Sequence, residues 1–475
     1  MQYFIGIDLG TSAVKLLLVD STGKICSTVS REYPLYFPHP GWSEQNPEDW
    51  WTAVQDGLKE LTKDISAADV AGIGCGGQMH GLVILDENDQ VIRPAILWND
   101  GRTYQEVAYL NDVIGKKKLS ELTANIAFAG FTAPKLLWVQ KNEPENFKRI
   151  CKIMLPKDFI NYKLTGVHAC DYSDASGMLL LDVEHKCWSK EMLDICGVTM
   201  SQMPKLFESY EVIGNVTADI GLPKTATGTV GDGACNISLG TSGTVFISSE
   251  KFGVDETNGL HAFAHADGRY HLMGCMLSAA SCNKWLCDEI LQTKDYPGEQ
   301  KDITPEKLGN NRVYFLPYLM GERSPINDTN ARATFLGMSM DTTRSDMVQA
   351  VLEGVAFAIR DSFEVAKGLG IQIQRSKVCG GGAKSPLWRQ IFANVLNLPL
   401  DIPQTEEGPG YGGAMLAMVG CGLYPSVKDC ADALVSVRET VLPDPAIAAR
   451  YEKQYRNFKE IYPALKPLFA KLQEQ

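Results

Sequence analysis

The segment YFIGIDLGTSAVKLLLV, residues 3–19, is the first indication of the fold, because an apolar run, a small hydroxylated turn and a second apolar run follow one another directly. This pattern predicts a β-hairpin. The segment NISLGTSGTVFIS, residues 236–248, repeats the scheme, so that Leu-Gly-Thr-Ser occurs at residues 9–12 and again at residues 239–242. The sequence therefore predicts an internally duplicated chain whose two hairpin turns could hold a phosphate chain between them.

The regions around the two hairpins alternate between helical and strand patterns. Residues 48–62 and 344–369 have the periodicity of amphipathic helices, and short β-branched or apolar runs lie between such segments. Alternation of this kind predicts an α/β fold. A chain of 475 residues is too long for one core, so we predict two domains, 1–227 and 228–475, joined by structured segments that act as a hinge.

Composition excludes some classes of partner. The formal net charge is -12 and no long basic stripe is present, so the chain lacks the positive charge that nucleic-acid binding requires. The first residues have neither a basic start nor a small-residue cleavage site, and no apolar run approaches the ~20 residues of a membrane helix. We therefore expect a cytoplasmic protein without a membrane partner. The sequence does not decide between a monomer and a homodimer.

Glycine-rich turns supply the candidate phosphate-binding residues. Where a turn follows a strand, glycine lets backbone N–H groups approach a phosphate closely. The two hairpin turns and the Gly-Gly-Gly segment at residues 380–382, which follows a predicted strand, are three such turns. One glycine turn alone is weak evidence, but three in this order predict a site for the phosphates of a nucleotide.

Asp8 is a candidate ligand for a metal ion. It lies at the end of the first apolar strand, where a carboxylate needs a cation or hydrogen-bond donors to offset its desolvation. A magnesium ion held together with waters and ATP phosphates would meet that need. The alternative is a structural aspartate that accepts hydrogen bonds from the amides of the turn.

A second group of polar residues predicts a sugar pocket. The segment GGQMHG places Gln78, Met79 and His80 between glycines at the end of a strand, and the segment WNDGR, residues 98–102, follows one strand later. Aromatic and amide groups suit a ligand with many hydroxyls. In the alternative interpretation His80 is a hydrogen-bonded core histidine.

Taken in order, the motifs DLGTS, GGQMHG, ILWNDGR, FTAPKLLWV, LPKD, SLGTSG, LPYLMGERSP and GGGAKS cover nearly the whole chain. This order closely resembles the FGGY family of carbohydrate kinases. Within that family, the QMHG and WNDGR segments resemble kinases that act on xylulose more than those that act on glycerol or gluconate. The resemblance implies two ribonuclease-H-like domains of the actin-like ATPase architecture with a cleft between them.

The resemblance also implies a reaction and the residues that carry it. The reaction is ATP-dependent phosphorylation of D-xylulose to D-xylulose 5-phosphate with Mg²⁺, an Asp base, a sugar-binding first domain and an ATP-binding second domain. The matching sugar-binding positions are Gln78, Met79, His80, Trp98, Asn99 and Arg102. The matching metal and nucleotide positions are Asp8, Gly10, Thr11, Ser12, Lys15, Thr241, Ser242, Gly243, Gly381, Gly382, Ala383 and Lys384.

The sequence departs from the family at the catalytic base. Relatives have a strand that ends in a Gly-Asp-Asn type motif, well upstream of the second Leu-Gly-Thr-Ser, and this chain has no such motif. Asp232 is the remaining candidate base, although its Gly-Asp-Gly setting also fits an ordinary turn. We therefore expect that the first domain lacks its last strand and the Asp motif, that Asp232 has replaced the base, or that residues are missing from the sequence.

Other functions remain as alternatives. Without the base, the same scaffold could bind sugar and ATP with little turnover, because general-base catalysis contributes ~10² to 10⁴ in rate. A kinase for another ketose or polyol would need only a small change in the pocket. An actin-like or chaperone-type ATPase with a protein substrate would have no sugar pocket, and the GGQMHG and WNDGR segments argue against it.

Overall fold

The computed structural model describes residues 2–217, 226–229, 235–404 and 408–473, with the backbone alone at 226–229 and 473. The strands of the first half are β1 (Tyr3–Leu9), β2 (Ala13–Asp20), β3 (Ile25–Glu32), β4 (Glu44–Gln45), β5 (Val70–Gly77), β6 (Val83–Leu85), β7 (Ala95–Ile96), β8 (Lys152–Met154), β9 (Ala169–Asp171), β10 (Leu181–Asp182), β11 (Cys187–Trp188), β12 (Lys205–Phe207), β13 (Gly214–Asn215) and β14 (Ala226–Thr229). Its helices are α1 (Pro47–Leu61), α2 (Tyr104–Ala108), α3 (Lys116–Thr123), α4 (Thr132–Asn142), α5 (Pro144–Lys148), α6 (Pro156–Thr165), α7 (Tyr172–Ala175) and α8 (Lys190–Cys196).

The second half has the same mixture of elements. Its strands are β15 (Asn236–Leu239), β16 (Gly243–Ser249), β17 (His261–Ala264), β18 (Tyr270–Met276), β19 (Tyr314–Leu316), β20 (Thr334–Leu336), β21 (Ser376–Cys379), β22 (Leu400–Pro403) and β23 (Val437–Val441). Its helices are α9 (Ala280–Trp285), α10 (Tyr296–Gln300), α11 (Arg344–Gly368), α12 (Pro386–Leu396), α13 (Gly408–Gly420), α14 (Val427–Leu434) and α15 (Pro445–Gln473). Among the described residues, no helix is both long and apolar enough to cross a membrane.

The main sheets of the two halves share one arrangement of strands. The first sheet has the order β13-β14-β5-β1-β2-β3, and the second has the order β17-β18-β16-β15-β21-β22-β23. In each sheet the strand before the Leu-Gly-Thr-Ser turn pairs antiparallel with the strand after it and parallel with a later strand, β5 or β21. This common pattern confirms the predicted duplication and the α/β fold.

The predicted helices form where the sequence placed them. α1 and α11 coincide within one residue with the two predicted amphipathic helices. α11 begins at a capping box in which the Thr343 side chain accepts from the Asp346 N–H and the Asp346 carboxylate accepts from the Thr343 N–H. Such a box satisfies two backbone donors at the start of the helix. α1 then packs on β2 and β3, and α11 packs on β16 and β18.

Helix α13 of the second half covers the opposite face of the first sheet, against β1 and β5. Two strand glycines permit this close approach. A Cβ atom added at Gly6 would lie 1.7 Å from the Gly410 carbonyl oxygen, and one added at Gly74 would lie 2.0 Å from the Gly413 carbonyl oxygen. Both distances are far below van der Waals contact, so the backbone of α13 rests directly on the backbone of the sheet. β1 is therefore covered on both faces, and its apolar side chains form part of the core.

The structure corrects the prediction that the first half lacks its last strand. β14 lies beside β5 and parallel to it, and β13 pairs antiparallel with β14. A strand therefore does occupy this edge of the sheet, and the predicted domain limit at residue 227 falls inside it. The loss was inferred from a missing motif, but a strand of four residues needs only backbone partners, which β5 supplies.

The two halves meet at β17. The Asn125 side chain donates to the Ala262 carbonyl oxygen at 2.9 Å and accepts from the Ala262 N–H at 3.2 Å. The Ala264 N–H donates to the Ser176 hydroxyl at 3.0 Å. Because side chains of the first half satisfy backbone groups of β17 in the second, β17 is a fixed contact beside the cleft that the fold predicts.

Candidate active site

The first hairpin loop, residues 10–12 between β1 and β2, is held by side chains from the strands around it. The Gly10 N–H donates to the Ala13 carbonyl oxygen at 3.0 Å, and the Tyr33 hydroxyl donates to the Gly10 carbonyl oxygen. The Gln45 amide donates to the Thr11 carbonyl oxygen at 2.7 Å. These bonds fix the loop, which is what a phosphate-binding turn requires.

Asp8 and Lys15 face each other across the hairpin that carries this loop. Burial raises the pKa of Asp8, and the positive charge of Lys15 partly offsets that rise. The alternative role, a structural aspartate that bonds the turn, has no support among the described contacts. The Gly10 N–H instead donates to backbone oxygens, those of Asp8 at 3.2 Å and of Ala13 at 3.0 Å. A nearby cation would favour the ionised form of Asp8.

Gln78 connects the predicted sugar segment to the first hairpin loop. Its N–H donates to the Leu9 carbonyl oxygen at 2.7 Å, and its side-chain amide donates to Gln45 Oε1 at 3.0 Å. Gln45 is the same residue that holds Thr11, so one side chain bridges the two predicted sites. The sugar segment and the phosphate loop are therefore neighbours in the fold.

His80 is buried, with a φ of +67° and with Nδ1 at 2.8 Å from the Gly177 carbonyl oxygen. Because a carbonyl oxygen can only accept, Nδ1 carries the hydrogen. Burial, together with the positive charges of Lys135 and Arg323, lowers the pKa of His80 to about 3. The ring is therefore neutral, which leaves Nε2 as a hydrogen-bond acceptor. Positive φ at a non-glycine residue is unfavourable, and such residues cluster at functional sites.

The wall around His80 is rigid. Its carbonyl oxygen accepts from Lys135 Nζ at 2.8 Å and from the Thr132 hydroxyl at 3.1 Å. Its ring lies 4.9 Å from the Phe131 ring. Met79 lies on the same side, since its methyl carbon is 3.4 Å from where a Cβ atom of Gly177 would lie. These contacts hold His80 and Met79 against one turn of the chain.

Trp98 joins the same group, and Asn99 beside it is exposed. Trp98 Nε1 donates to the Thr11 hydroxyl at 3.0 Å, while 43% of the residue stays exposed. An indole ring that is held at its nitrogen and open on its surface suits a sugar, because sugar C–H groups pack on aromatic faces while hydroxyls find polar partners. The structure therefore brings Thr11, Gln78 and Trp98 together.

Arg102 is placed apart from this group. Its side chain is fully buried and forms ion pairs with Asp100 and Glu44, both at 2.7 Å. Its guanidinium lies 3.7 Å from the centre of the Trp42 ring and lines a separate crevice of about 430 Å³. The predicted contact between Arg102 and a sugar has no support among these contacts, because two carboxylates already use its donors. Arg102 instead fixes the loop that carries Trp98.

The second hairpin loop, residues 240–242 between β15 and β16, is held by backbone groups at the start of α9. The Thr241 carbonyl oxygen accepts from the Ala279 N–H at 3.0 Å and from the Ser281 hydroxyl at 2.7 Å. The Gly240 carbonyl oxygen accepts from the Ala280 N–H at 2.9 Å. The side chains of residues 241 and 242 stay exposed, so their hydroxyls remain available to a ligand.

The triple-glycine segment lies beside the second hairpin loop. Gly380, with a φ of +90°, follows β21, and residues 381–384 form a short 3-10 turn. A Cβ atom at Gly380 would lie 2.8 Å from the Leu239 carbonyl carbon, so only glycine allows this approach. Ala383 is buried, whereas Gly381 and Lys384 are exposed. The triple-glycine segment thus packs against Leu239, two residues before the predicted nucleotide position Thr241.

One cleft residue was not identified from the sequence. The Arg323 guanidinium, from the second half, lies 5.2 Å from the Phe128 ring centre. Its Nη2 is 3.6 Å from where a Cβ atom of Gly130 would lie, next to the Trp98 carbonyl oxygen. The motif LPYLMGERSP contains Arg323, but neither its spacing nor its type predicts a contact with the other half. The candidate base Asp232 lies outside the described residues.

Comparisons with known proteins agree with this geometry. Residues 3–229 match the model of the FGGY family of carbohydrate kinases, N-terminal domain, and residues 235–421 match that of its C-terminal domain. The chain is 38% identical to the xylulose kinase of Escherichia coli (strain K12), over 98% of this chain and 100% of that protein. The alignment spans 492 positions, more than the 475 residues of this chain, so the relative has residues that this chain lacks.

Solved structures of sugar kinases have the same fold. The xylulose kinase from Rhodospirillum rubrum is 29% identical with a TM-score of 0.92, covering 99% of this chain and 100% of that one. The gluconate kinase from Lactobacillus acidophilus is 27% identical with a TM-score of 0.93, covering 99% of each chain. Because kinases for two different sugars fit this chain equally well, the fold alone does not select the sugar.

Proposed function

Because the chain belongs to the FGGY family of carbohydrate kinases and is therefore an enzyme that phosphorylates a sugar, we propose that its reaction is ATP-dependent phosphorylation of D-xylulose to D-xylulose 5-phosphate. The observation that carries the proposal is the hydrogen-bonded link between sugar segment and phosphate loop. Trp98 Nε1 donates to the Thr11 hydroxyl, and Gln45 bonds both Thr11 and Gln78. The choice of xylulose is supported by the 38% identity to a xylulose kinase.

On the sugar side, the proposal gives each group a distinct task. His80 Nε2 would accept a hydrogen bond from a sugar hydroxyl, since Nδ1 is already bonded to Gly177. The exposed face of Trp98 would pack against the sugar carbons, and the Asn99 amide would bond further hydroxyls. Met79 would fill the apolar side of the pocket. Positioning of this kind supplies much of the rate of phosphoryl transfer.

On the nucleotide side, the second hairpin loop and residues 381–384 would hold ATP. The first hairpin loop and Lys15 would face the phosphate that is transferred, with their N–H groups and positive charge. Closure of the halves would exclude water, which otherwise competes with the sugar as phosphoryl acceptor. The proposed division is a sugar domain, 1–227, and an ATP domain, 228–475.

The residues present fit a magnesium ion. Mg²⁺ usually binds one or two carboxylates together with phosphate oxygens and waters. Asp8 offers one carboxylate beside the first hairpin loop, and burial without a cation raises its pKa. In the described part of the chain, no group of three or more His, Cys, Asp or Glu side chains is placed to hold a metal by itself. When bound, the ion would supply positive charge that neutralises the phosphates.

The base in this proposal is Asp232, which would take the proton of the attacking sugar hydroxyl. A specific observation favours a second candidate function, a sugar- and ATP-binding protein with little turnover. The chain lacks residues that the E. coli relative has, and it lacks the family's Gly-Asp-Asn motif. The cytoplasmic location stays a prediction, and the oligomeric state, monomer or homodimer, stays open.

The test is ADP release with Mg²⁺, ATP and a panel of ketoses and polyols led by D-xylulose, after the intact mass of the protein has been confirmed. We expect ADP release that depends on D-xylulose and falls at least about 10²-fold in Asp232→Asn. Asp219→Asn is the matched control, because it removes an aspartate 13 residues earlier in the sequence that has no proposed role. Binding of sugar and ATP without ADP release would support the second function. Faster ADP release with another sugar would show that this sugar, and not D-xylulose, is the substrate.

A further inference from the structure

Arg323 is held through its backbone, while its guanidinium contacts the Phe128 ring. The Glu322 carboxylate accepts from the Arg323 N–H at 2.7 Å and from the Leu277 N–H at 2.9 Å. The Ser324 N–H donates to the Cys275 carbonyl oxygen at 3.1 Å. Within the described ranges, the guanidinium makes no hydrogen bond or ion pair and only rests on the Phe128 ring. Its five N–H donors are therefore available to a ligand.

The Arg323 guanidinium lies on the side of the cleft that carries the proposed sugar residues. Its Nη2 is 3.6 Å from the point where a Gly130 Cβ would lie, and the Trp98 carbonyl oxygen is 2.9 Å from that point. The Phe128 ring that it contacts lies 5.0 Å from the His261 ring and 5.5 Å from the Phe131 ring, which is itself 4.9 Å from the His80 ring. The charge of Arg323 also lowers the pKa values of His80 and His261. The two hairpin loops, by contrast, are bonded to other residues and make no described hydrogen bond with Arg323. Arg323 thus faces the group that would hold the sugar rather than the phosphates.

The two polar groups on this wall are complementary. Neutral His80 offers an acceptor at Nε2, because Nδ1 donates to the Gly177 carbonyl oxygen. Arg323 offers only donors. A carbonyl oxygen accepts hydrogen bonds and donates none, and a hydroxyl beside it can donate to an acceptor. An acceptor and a charged donor on the same wall therefore match a hydroxyl next to a carbonyl, which is the hydroxyketone end of a ketose.

We propose that Arg323 is a specificity residue of the sugar pocket, whose guanidinium donates hydrogen bonds to the carbonyl oxygen of the substrate and so selects a ketose over the corresponding polyol. The inference rests on the proposed function and adds a residue from the second half to the sugar site. A polyol has a hydroxyl in place of the carbonyl, and its hydrogen must turn away from a guanidinium that cannot accept it. Because Arg323 comes from the second half, the sugar would bond to both halves at once.

The test compares D-xylulose with xylitol, which has a hydroxyl in place of the carbonyl. Dissociation constants for both are measured by calorimetry in the full-length protein, and kcat/KM is measured for each sugar that is turned over. Arg323→Gln should weaken D-xylulose binding by about 10- to 100-fold and change xylitol binding by less than about threefold, so the preference for the ketose is lost. Arg323→Lys, which keeps the charge but not the fork of donors, should fall between.

Arg312→Gln is the matched control, because it removes an exposed arginine of the same half. It should leave both dissociation constants unchanged, and melting temperatures show whether each variant is folded. Equal loss for D-xylulose and xylitol in folded Arg323→Gln would overturn the inference and leave the proposed function intact. Failure of the unmodified protein to bind D-xylulose would overturn both.

Discussion

The two Leu-Gly-Thr-Ser hairpins have the same four residues but different surroundings. Side chains hold the first hairpin loop, namely Trp98 of the proposed sugar region together with Gln45 and Tyr33. Backbone N–H groups and a hydroxyl at the start of α9 hold the second hairpin loop. The same local sequence thus has two different settings. The first loop is bonded to the proposed sugar region through Trp98, and the second is bonded to the start of α9.

The hairpins also differ in charge. Asp8 stands before the first turn and faces Lys15, whereas Ser238 stands at the corresponding position of the second and faces Thr244. Only the first hairpin can therefore bind a metal through a carboxylate. The two hairpin turns share the Leu-Gly-Thr-Ser sequence, and the difference between Asp8 and Ser238 gives only the first a carboxylate, which we propose as the metal ligand.

Substitution of the two corresponding residues, Asp8 and Ser238, tests this difference directly. Asp8→Asn keeps the size of the side chain but removes its charge, so kcat should fall by about 10² to 10³ at saturating Mg²⁺ and ATP. Ser238→Ala, the same position of the other hairpin, should change kcat by less than about fivefold, because it removes at most one neutral hydrogen bond. Steady-state ADP release measures both. Equal losses would mean that the hairpins do not differ in metal binding.

The second comparison concerns the helices that cover the two sheets. α13 rests on the first sheet backbone to backbone, so Gly74→Ala should clash with the Gly413 carbonyl oxygen, which would lie 2.0 Å from the new atom. We expect the free energy of unfolding to fall by about 3 kcal/mol, the upper part of the usual range for overpacking. Thermal and urea unfolding measure the change. Gly368→Ala is the control at an open position of α11, and it should leave stability within about 1 kcal/mol of the starting protein.

The covering helix of the second sheet differs in another way, since α11 carries a buried carboxyl. Glu353 accepts from Tyr451 and Gln349, both at 2.8 Å, and burial raises the pKa of Glu353 from its ordinary value of 4.5 to about 7. The native state therefore keeps the Glu353 proton up to a higher pH than the unfolded state does. The resulting stability is present in full below the unfolded pKa and is lost as the pH rises through the folded pKa.

Glu353→Gln should remove that dependence. Between about pH 5 and about pH 8, the free energy of unfolding of the starting protein should fall by roughly 2 to 3 kcal/mol more than that of the variant. The variant avoids this loss because it has no buried group to ionise at residue 353. Urea unfolding at the two pH values measures the difference. The exposed Glu460→Gln variant should show no such difference. A constant offset across this pH range would show that Glu353 titrates normally.

Local sequence pattern predicted the fold and half of the candidate site. The repeated turn predicted two sheets, and Thr11, Gln78 and Trp98 meet because each follows a strand of the first half. The sequence did not predict that Arg102 is enclosed by Asp100 and Glu44, because such ion pairs depend on how distant loops fold together. Arg323 was missed for the same reason, since its neighbours lie in the other half of the chain.

A weaker effect is expected from loss of the bond between Trp98 and Thr11, which couples the first hairpin loop to the proposed sugar region. Trp98→Phe keeps an aromatic face but removes the donor to the Thr11 hydroxyl, a bond of 3.0 Å. A neutral hydrogen bond contributes about 1 kcal/mol, so KM for D-xylulose should rise by about fivefold. KM for ATP should change little if the second hairpin loop holds the nucleotide. Adding Thr11→Val to the Trp98→Phe variant should not raise KM for D-xylulose further, because the two side chains form a single bond with each other. Additive losses would show that Trp98 and Thr11 act separately, so that their bond does not couple the first hairpin loop to the sugar region.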